Sequence, residues 1–452
     1  MPNTARDASP DSTGSDSLLS SAASVATTTS STDDDVYDLI CIGFGPAALA
    51  IALAIADSAP ANFRALFLEK QAAFAWHAGM LLPAAKMQIG FIKDLAMLRD
   101  PTSRFTFVNY LHAHGRLIDF ANMGTFYPYR EEFEAYLRWC AGQVDDMVAY
   151  GEQVVGVAAP ERGGHVGEFE VESRVGGAAR VRRGRNVVVS TGGSPAVPAV
   201  FAPAADSPRL MHSSAYMHAI HARLPERDAA YRVAVVGAGQ SAAEIFADLH
   251  SRFPNAHTDL VIRDRALRPS DDSPFVNEIF NPDAVDHVYY MDPAARAAAI
   301  ARDRATNYSV VRIDLLDKLY SDLYLQKLPG HVRQHAIRAQ TTVDAVAVAD
   351  RVHLHLRDTL TGEVADEAYD LVVVATGYDR NQHERLLKPM AHLLAGSAAA
   401  VSRDYRLPLH PKVPGGVWLQ GCCEATHGLS DSLLSTLAIR SQDVLNSILA
   451  AR

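Results

Sequence analysis

"DLICIGFGPAALAIALA" (residues 38–54) and "VAVVGAGQSAAEIF" (233–246) decide the fold, because each runs from a β-rich apolar stretch through Gly-x-Gly-x-x-Ala into a helix-forming stretch. In such a unit the first glycine permits a tight turn, the second lets the backbone approach a pyrophosphate, and the final small residue lets the helix pack close to the strand. The helix N-terminus then presents unsatisfied N–H groups to the phosphates. In the first copy these positions are Gly43, Gly45 with Pro46 behind it, and Ala48. The following apolar run "RALFLE" ends at Glu69, 21 residues beyond Ala48, where an acidic side chain meets a ribose 2′-hydroxyl. Residues 36–69 therefore read as a βαβ unit for an adenine dinucleotide with an unmodified ribose, FAD foremost.

The second copy, Gly237 to Ala242, differs downstream. Its next strand, "DLVIRD", carries Arg263, with Arg265 and Arg268 beyond. A guanidinium there accommodates a 2′-phosphate and points to NADPH over NADH; the bland alternative is a solvated loop face. "VVVSTGGSP" (187–195) and "LVVVATGYDRN" (371–381) are β-branched runs stopping at glycine, as buried parallel strands do beside a ligand crevice. They bracket the second fingerprint, so an NADPH domain inserted into an FAD domain is expected: FAD part 36–208, NADPH part with substrate-binding segments 209–369, and a second FAD part 370–452. The fold class is α/β, with two Rossmann-like dinucleotide-binding domains and a small substrate-binding region.

Composition agrees with a large multi-domain chain. It has 452 residues, 48 % of them hydrophobic, and a net charge of −10 with no Lys/Arg-rich run, which argues against nucleic acid as a partner. The first 35 residues hold 15 Ser or Thr, six Asp and one Arg, and read as a disordered tail without secretory or transit features. The uncharged run 39–56 is long enough to suggest a membrane span, but Gly43, Gly45 and Pro46 break it, so no membrane partner is expected. Cysteines 41, 140, 422 and 423 contain no C-x-x-C pair, which weakens a disulfide-reductase reading and fits a reducing, cytoplasmic setting.

The segment "KMQIGFIKDLAMLRDPTSRFTFVNYLHAHGRL" (86–117) resembles the N-hydroxylating amine monooxygenases, most closely the fungal L-ornithine N(5)-monooxygenases of hydroxamate siderophore synthesis. The resemblance continues through "FAWHAGM" (74–80), "DDSPFVNEIFNP" (271–282), "TNYSVV" (306–311) and "THGLSDSLLSTLA" (426–438). "HSSAY" (212–216) resembles the His-containing linker of flavin monooxygenases, although Asp206 and Pro208 replace the usual upstream Phe and Gly. What the resemblance implies is an FAD- and NADPH-dependent enzyme that uses dioxygen, through a C(4a)-hydroperoxyflavin, to hydroxylate the side-chain amine of L-ornithine. It also implies a homotetramer.

Residue by residue, the resemblance implies that Lys93 binds the substrate α-carboxylate, that Asn277 and Phe280 shape the amino-acid site, and that Ser435 completes it. Asn307 is implied near both the substrate amine and NADP, with Tyr308 and Ser309 in the same nucleotide-contacting stretch. An amide suits that place, since a carboxylate would favour the protonated, non-nucleophilic amine. Glu69, Lys70, Trp76, His77, Gln88, Val154, Ser432, Leu433 and Leu434 are implied along the FAD; Gly237, Ala238, Gly239, Gln240 and Ser241 cradle the NADPH pyrophosphate. Gly90 stands where a Ser is expected. No side chain is identified as the base, and the chemistry belongs to the flavin.

Bland readings compete at several positions: an ion pair with Asp94 for Lys93, turn capping for Asn277, core packing for Trp76, and an amphipathic helix capped by Ser430 or Asp431 for "LSDSLLSTLAI". The nearest functional rival is a lysine N(6)-hydroxylase, whose extra methylene a pocket discriminates by only about 1–3 kcal/mol. From other classes come a disulfide-reductase-like electron carrier and a non-catalytic nucleotide-binding protein.

Overall fold

The computed structural model describes residues 36–162, 165–396 and 400–451. The expected disordered tail lies outside them. The apolar run at 39–56 divides where its glycines require: strand Leu39–Ile42, a turn, then helix Pro46–Ser58. Ala48 to Ile55 of that helix are all buried, which accounts for the absence of charge without a membrane. Among the described residues no helix is long and apolar enough to cross one.

Two five-stranded parallel sheets organise the chain. The first runs Gly416–Leu419, Asn186–Val189, Leu39–Ile42, Ala65–Glu69, Val148–Tyr150. Strands Gly416–Leu419, Asn186–Val189 and Leu39–Ile42 are buried at every position, as expected of strands covered on both faces. Strand order reverses about Leu39–Ile42, so a crevice opens at its C-terminal end, where Gly43 begins the turn. Helices Pro46–Ser58 and Leu437–Ala450 pack together beside this sheet.

The second sheet runs Leu210–His212, Leu371–Val374, Arg232–Val236, His257–Val261, His335–Arg338. It reverses about Arg232–Val236 and opens its crevice at Gly237. One expectation is corrected here. Leu371–Val374, assigned from its sequence to the last part of the first domain, pairs with Arg232–Val236 and Leu210–His212 in the second sheet. Both sheets accept a buried β-branched run ending in glycine, and pairing alone discriminates between them. The chain crosses between the sheets at two places that lie side by side, Ser194–Pro195 paired antiparallel with Tyr378–Asp379.

"LSDSLLSTLAI" is not one helix. It forms two short 3₁₀ turns, Leu429–Ser432 and Leu434–Thr436, before helix Leu437–Ala450 begins. The Asp431 carboxylate is engaged elsewhere, accepting the Cys423 N–H at 2.6 Å and pairing with buried Arg440, while Leu433 takes an extended backbone that interrupts helical bonding.

Candidate active site: two clefts meeting at Tyr378

The first crevice is a cleft of about 550 Å³. Gly43, Gly45 and Pro46 form one wall, Glu69, Lys70, Trp76 and His77 a second, and Ser432, Leu433 and Leu434 a third. Gly43 has φ +92°, and a Cβ there would lie 2.5 Å from the Ser190 carbonyl oxygen, so only glycine fits. Gly45 differs: its φ of −82° suits any residue, and no atom lies within 4 Å of where its Cβ would stand. That open volume is what close approach of a ligand to the backbone needs. Gly45 caps the helix with no side-chain acceptor for the first-turn amides, which leaves them available to an anion. Glu69 is buried and accepts the Phe44 N–H at 2.7 Å and the Gln71 N–H at 2.9 Å, so turn and carboxylate hold each other in place.

Trp76 meets His77 and Phe133 edge to face at 5.0 and 6.0 Å. His77 sits in the left-handed region at φ 49°, an uncommon conformation for a residue with a Cβ. Its side chain is open to the cleft, and desolvation by the cleft walls, then the nearby Arg130 and Arg380 charges, lower its pKa to about 4, which favours the uncharged imidazole at neutral pH. A residue that sequence reasoning missed completes this cleft. Gln420 is 3 % exposed, and neither its amide oxygen nor its amide nitrogen has a partner. A buried amide without partners is costly, and a ligand carrying both donors and acceptors would satisfy it. The available signal was the run "GVWL" (416–419) halting at Gln-Gly, as the other crevice strands halt at glycine.

The second cleft, of about 910 Å³, is lined by Gly237 to Ser241, Arg263, and Asn307 to Ser309. Gly237 has φ +145°, and a Cβ would lie 2.3 Å from the Ala375 carbonyl oxygen. Gly239 caps helix Gln240–Arg252, again without a side-chain acceptor. Ser309, at φ 59°, packs its backbone against Gly239. Of the three arginines only Arg263 lines the cleft, whereas Arg268 pairs with Asp264 at 2.9 Å. The Gln240 side chain is taken by the protein: its nitrogen donates to Glu244 at 2.9 Å and its oxygen accepts the Arg312 N–H at 2.9 Å. Glu244 in turn forms a two-pronged ion pair with Arg130 at 2.7 and 2.9 Å, tying helix Arg130–Gly142 to helix Gln240–Arg252. Gln88, implied along the flavin, lines this second cleft and not the first.

Tyr378 lines both clefts. Its ring contacts His212 of the "HSSAY" linker edge to face at 5.3 Å, and His212 Nε2 lies 3.0 Å from the Gly377 carbonyl oxygen. Sequence reasoning quoted the stretch containing Tyr378 without giving it a role.

The implied substrate residues are only partly brought together. Ser435 is buried and donates to the Phe280 carbonyl oxygen at 3.5 Å, joining segments 155 positions apart. Lys93 stands in a turn closed by its own N–H to the Gly90 carbonyl at 2.9 Å. Its neighbour Asp94 points inward, accepting the N–H groups of Ala96, Met97 and Phe107, so an ion pair between the two is not formed. The Asn277 amide donates to the Asp272 carbonyl at 2.8 Å. Among the described residues neither Lys93 nor Asn277 hydrogen-bonds Asn307 or Ser435, and neither lines the two clefts. Val154 is buried at a register break in strand Glu152–Ala158, outside both linings. A Cβ on Gly90 would meet the Phe126 ring at 3.8 Å, an ordinary contact, so sterics do not require glycine there.

All four cysteines are free thiols, and none lines either cleft. Cys41 is buried in its strand with its pKa pushed up by burial. A dithiol-disulfide couple beside the first cleft is therefore missing among the described residues.

Two parallel-sheet crevices, each with a strained glycine and an uncapped helix N-terminus, define the class: a two-dinucleotide α/β oxidoreductase fold. The chain belongs to the L-lysine 6-monooxygenase/L-ornithine 5-monooxygenase family, whose model matches residues 35–380. It is similar to an L-ornithine N(5)-oxygenase of Arthrobotrys oligospora, with 49 % identity over 91 % of this chain and 88 % of that one. Among solved structures it resembles an ornithine hydroxylase from Pseudomonas aeruginosa at TM-score 0.88 and 42 % identity, covering 92 % of this chain and all of the other. It also resembles a Kutzneria ornithine N-hydroxylase with reduced FAD, NADP+ and L-ornithine, at TM-score 0.86 and 37 % identity, covering 92 % and 99 %.

Proposed function

We propose that this chain is an FAD- and NADPH-dependent L-ornithine N(5)-monooxygenase, converting L-ornithine, NADPH and dioxygen to N(5)-hydroxy-L-ornithine, NADP+ and water for hydroxamate siderophore synthesis. The observation that carries the reading is the meeting of two dinucleotide cradles at Tyr378. The first cradle fits FAD: Gly45 leaves open the volume a close-lying pyrophosphate takes, and the Gln420 amide is buried without partners. FAD, when bound, supplies the activation of dioxygen that the protein's own groups lack.

The protein's part is to bind, orient and exclude water. Helix amides behind Gly45 and Pro46 hold the FAD pyrophosphate and Glu69 the ribose, with Lys70, Trp76, His77, Ser432, Leu433 and Leu434 along the remainder. Amides from Gly237 to Ser241 hold the NADPH pyrophosphate, and Arg263 its 2′-phosphate. Because the Gln240 side chain is engaged with Glu244 and Arg312, its share of that cradle is its backbone. Gln88, from its place in the second cleft, serves the junction with the nicotinamide. Lys93 anchors the ornithine α-carboxylate, Asn277 and Phe280 shape the head-group site, and Asn307 and Ser435 flank the amine. His77, uncharged at neutral pH, adds no positive charge that would bar an ammonium substrate from the cleft.

The similar proteins named above are ornithine hydroxylases, which favours ornithine over lysine as the substrate. A division into an FAD part (36–208 and 370–452) around an NADPH part (209–369), with Leu371–Val374 lent to the second sheet, belongs to the same reading, as do a homotetramer and a cytoplasmic location. The test is FAD-saturated protein given NADPH, dioxygen and either L-ornithine or L-lysine. Hydroxylamine formed stoichiometrically with NADPH oxidised, from ornithine alone, supports the reading. NADPH oxidation with product from neither amino acid overturns it.

A further inference from the structure

An alkyl ammonium has a pKa of about 10.4, so at neutral pH only about one amine in a thousand is a nucleophile. A hydroxylase acting on it must take a proton out of the cleft that Asn307 lines, where Asp264 is held by Arg268. The next residue along the chain is Tyr308. Its phenol donates to Glu424 Oε2 at 2.5 Å, a contact spanning 116 positions. The phenol also stands near the Ser432 hydroxyl, which lines the first cleft, while Tyr308 itself lines the second. Glu424 is 22 % exposed at its side chain and opens to solvent, where Arg304 approaches its other oxygen at 3.4 Å. The Arg304 guanidinium also stacks over the Tyr308 ring at 4.3 Å and holds it in place.

We infer that Ser432, Tyr308 and Glu424 form a proton exit from the catalytic cleft, with Glu424 as the terminal acceptor. The inference rests on the proposed hydroxylation of an amine. In the transfer, the Ser432 oxygen accepts a proton released in the cleft and passes its own proton to the Tyr308 oxygen. The phenol passes its proton to Glu424, which returns it to water. Each oxygen gains one proton and loses one, and no electrons move. Burial, then the hydrogen bond to Glu424, raise the Tyr308 pKa above its ordinary value, so the phenol conducts protons without itself ionising.

Neighbouring charges leave this route clear. Arg304 and Arg380 are the cations facing the phenol or its partner. On the elements packed against helix Glu424–His427, Asp286 is held by Arg403, Arg302 by Asp303, and Asp431 by Arg440. His427, on the same helix, is turned toward the Arg403 carbonyl.

The experiment compares the holoenzyme with its Glu424→Gln and Tyr308→Phe variants between pH 6.5 and 9.5, reading hydroxyornithine formed per second with NADPH and dioxygen saturating. Gln keeps the shape and one acceptor but takes no proton. With the exit removed, product formation falls at least 100-fold at pH 7, climbs about tenfold per pH unit as free amine accumulates, and approaches the unsubstituted enzyme near pH 9.5. Glu424→Asp restores part of the neutral-pH rate. The inference is overturned if the variants keep the unsubstituted pH profile, or lose activity equally at every pH together with flavin reduction by NADPH. It is also overturned if calorimetric affinity for L-ornithine falls in proportion to turnover, which would mark Glu424 as a shaper of the pocket. Should the unsubstituted enzyme form no hydroxyornithine at any pH, the functional reading fails and the exit with it.

Discussion

Replacing Gly45 by alanine separates ligand binding from folding, because the two turn glycines have different surroundings. At Gly45 the backbone already has φ −82°, and the new methyl meets nothing within 4 Å. Loss of glycine's advantage at a helix N-cap costs about 0.5–1 kcal/mol, while the stiffer unfolded chain returns about 0.4–1 kcal/mol. The apo-protein's stability should therefore stay within about 0.5 kcal/mol of its starting value. The methyl instead occupies the space where a pyrophosphate must lie. Losing one charge-assisted bond from the helix amides, about 1.5–3 kcal/mol, corresponds to roughly 10- to 100-fold weaker FAD binding.

Gly43→Ala supplies the contrast. A side chain at φ +92° costs about 1–2 kcal/mol, and its Cβ 2.5 Å from the Ser190 oxygen forces an overpacking shift of about 1–3 kcal/mol. That variant should lose about 2–5 kcal/mol before any FAD is added. Urea unfolding of the apo-proteins and quenching of FAD fluorescence measure the two quantities independently. If Gly45→Ala unfolds as readily as Gly43→Ala, or binds FAD as tightly as the unsubstituted chain, the assignment of the open volume to the cofactor is wrong.

Lys93→Ala should raise the KM for L-ornithine roughly 10- to 100-fold, the worth of one charged hydrogen bond, while ornithine-free flavin reduction by NADPH moves far less; stopped-flow and steady-state kinetics separate the two, and equal losses would remove Lys93 from the substrate site. Arg263→Ala should weaken NADPH at least tenfold with little effect on NADH, and parallel losses would return Arg263 to the solvated loop. Acid should destabilise the fold through a pair of half-buried histidines. His250 stacks on His335 at 3.5 Å between ring centroids, and burial followed by neighbouring histidine charge lowers their pKa values to about 3 and about 4. Both lie below the unfolded value of about 6.5, so the unfolded chain binds more protons between these limits. Stability is full above pH 6.5 and falls as the pH drops toward 4; His250→Phe should flatten the fall in Tm over that interval, and an unchanged slope would refute the assignment.

Features that a short stretch of chain imposes on itself were legible without coordinates. The two glycine turns, the helices behind them and the buried strands before them follow from φ/ψ limits and from apolar patterning, both written locally. Gly43 and Gly237 take backbone conformations that other residues avoid, and every cofactor position named from sequence lines the cleft expected for it except Gln88, which lines the other cleft, and Val154, which lines neither. The competing reading of "LSDSLLSTLAI" as a helix capped by Ser430 or Asp431 fails because Asp431 binds the Cys423 amide and Arg440, partners that a helical pattern does not reveal.

What the tertiary structure alone decided are the pairings between segments far apart in the chain. Leu371–Val374 fits either parallel sheet by composition and joins the second only through its hydrogen-bonded neighbours. Gln420 is an unremarked polar residue until burial leaves its amide without partners. Tyr378 becomes the junction of two clefts because two crossing strands lie side by side. Tyr308 meets Glu424 across 116 positions. Sequence determines backbone conformation through neighbours along the chain, whereas these contacts depend on where packing brings distant side chains, and no local pattern encodes that distance.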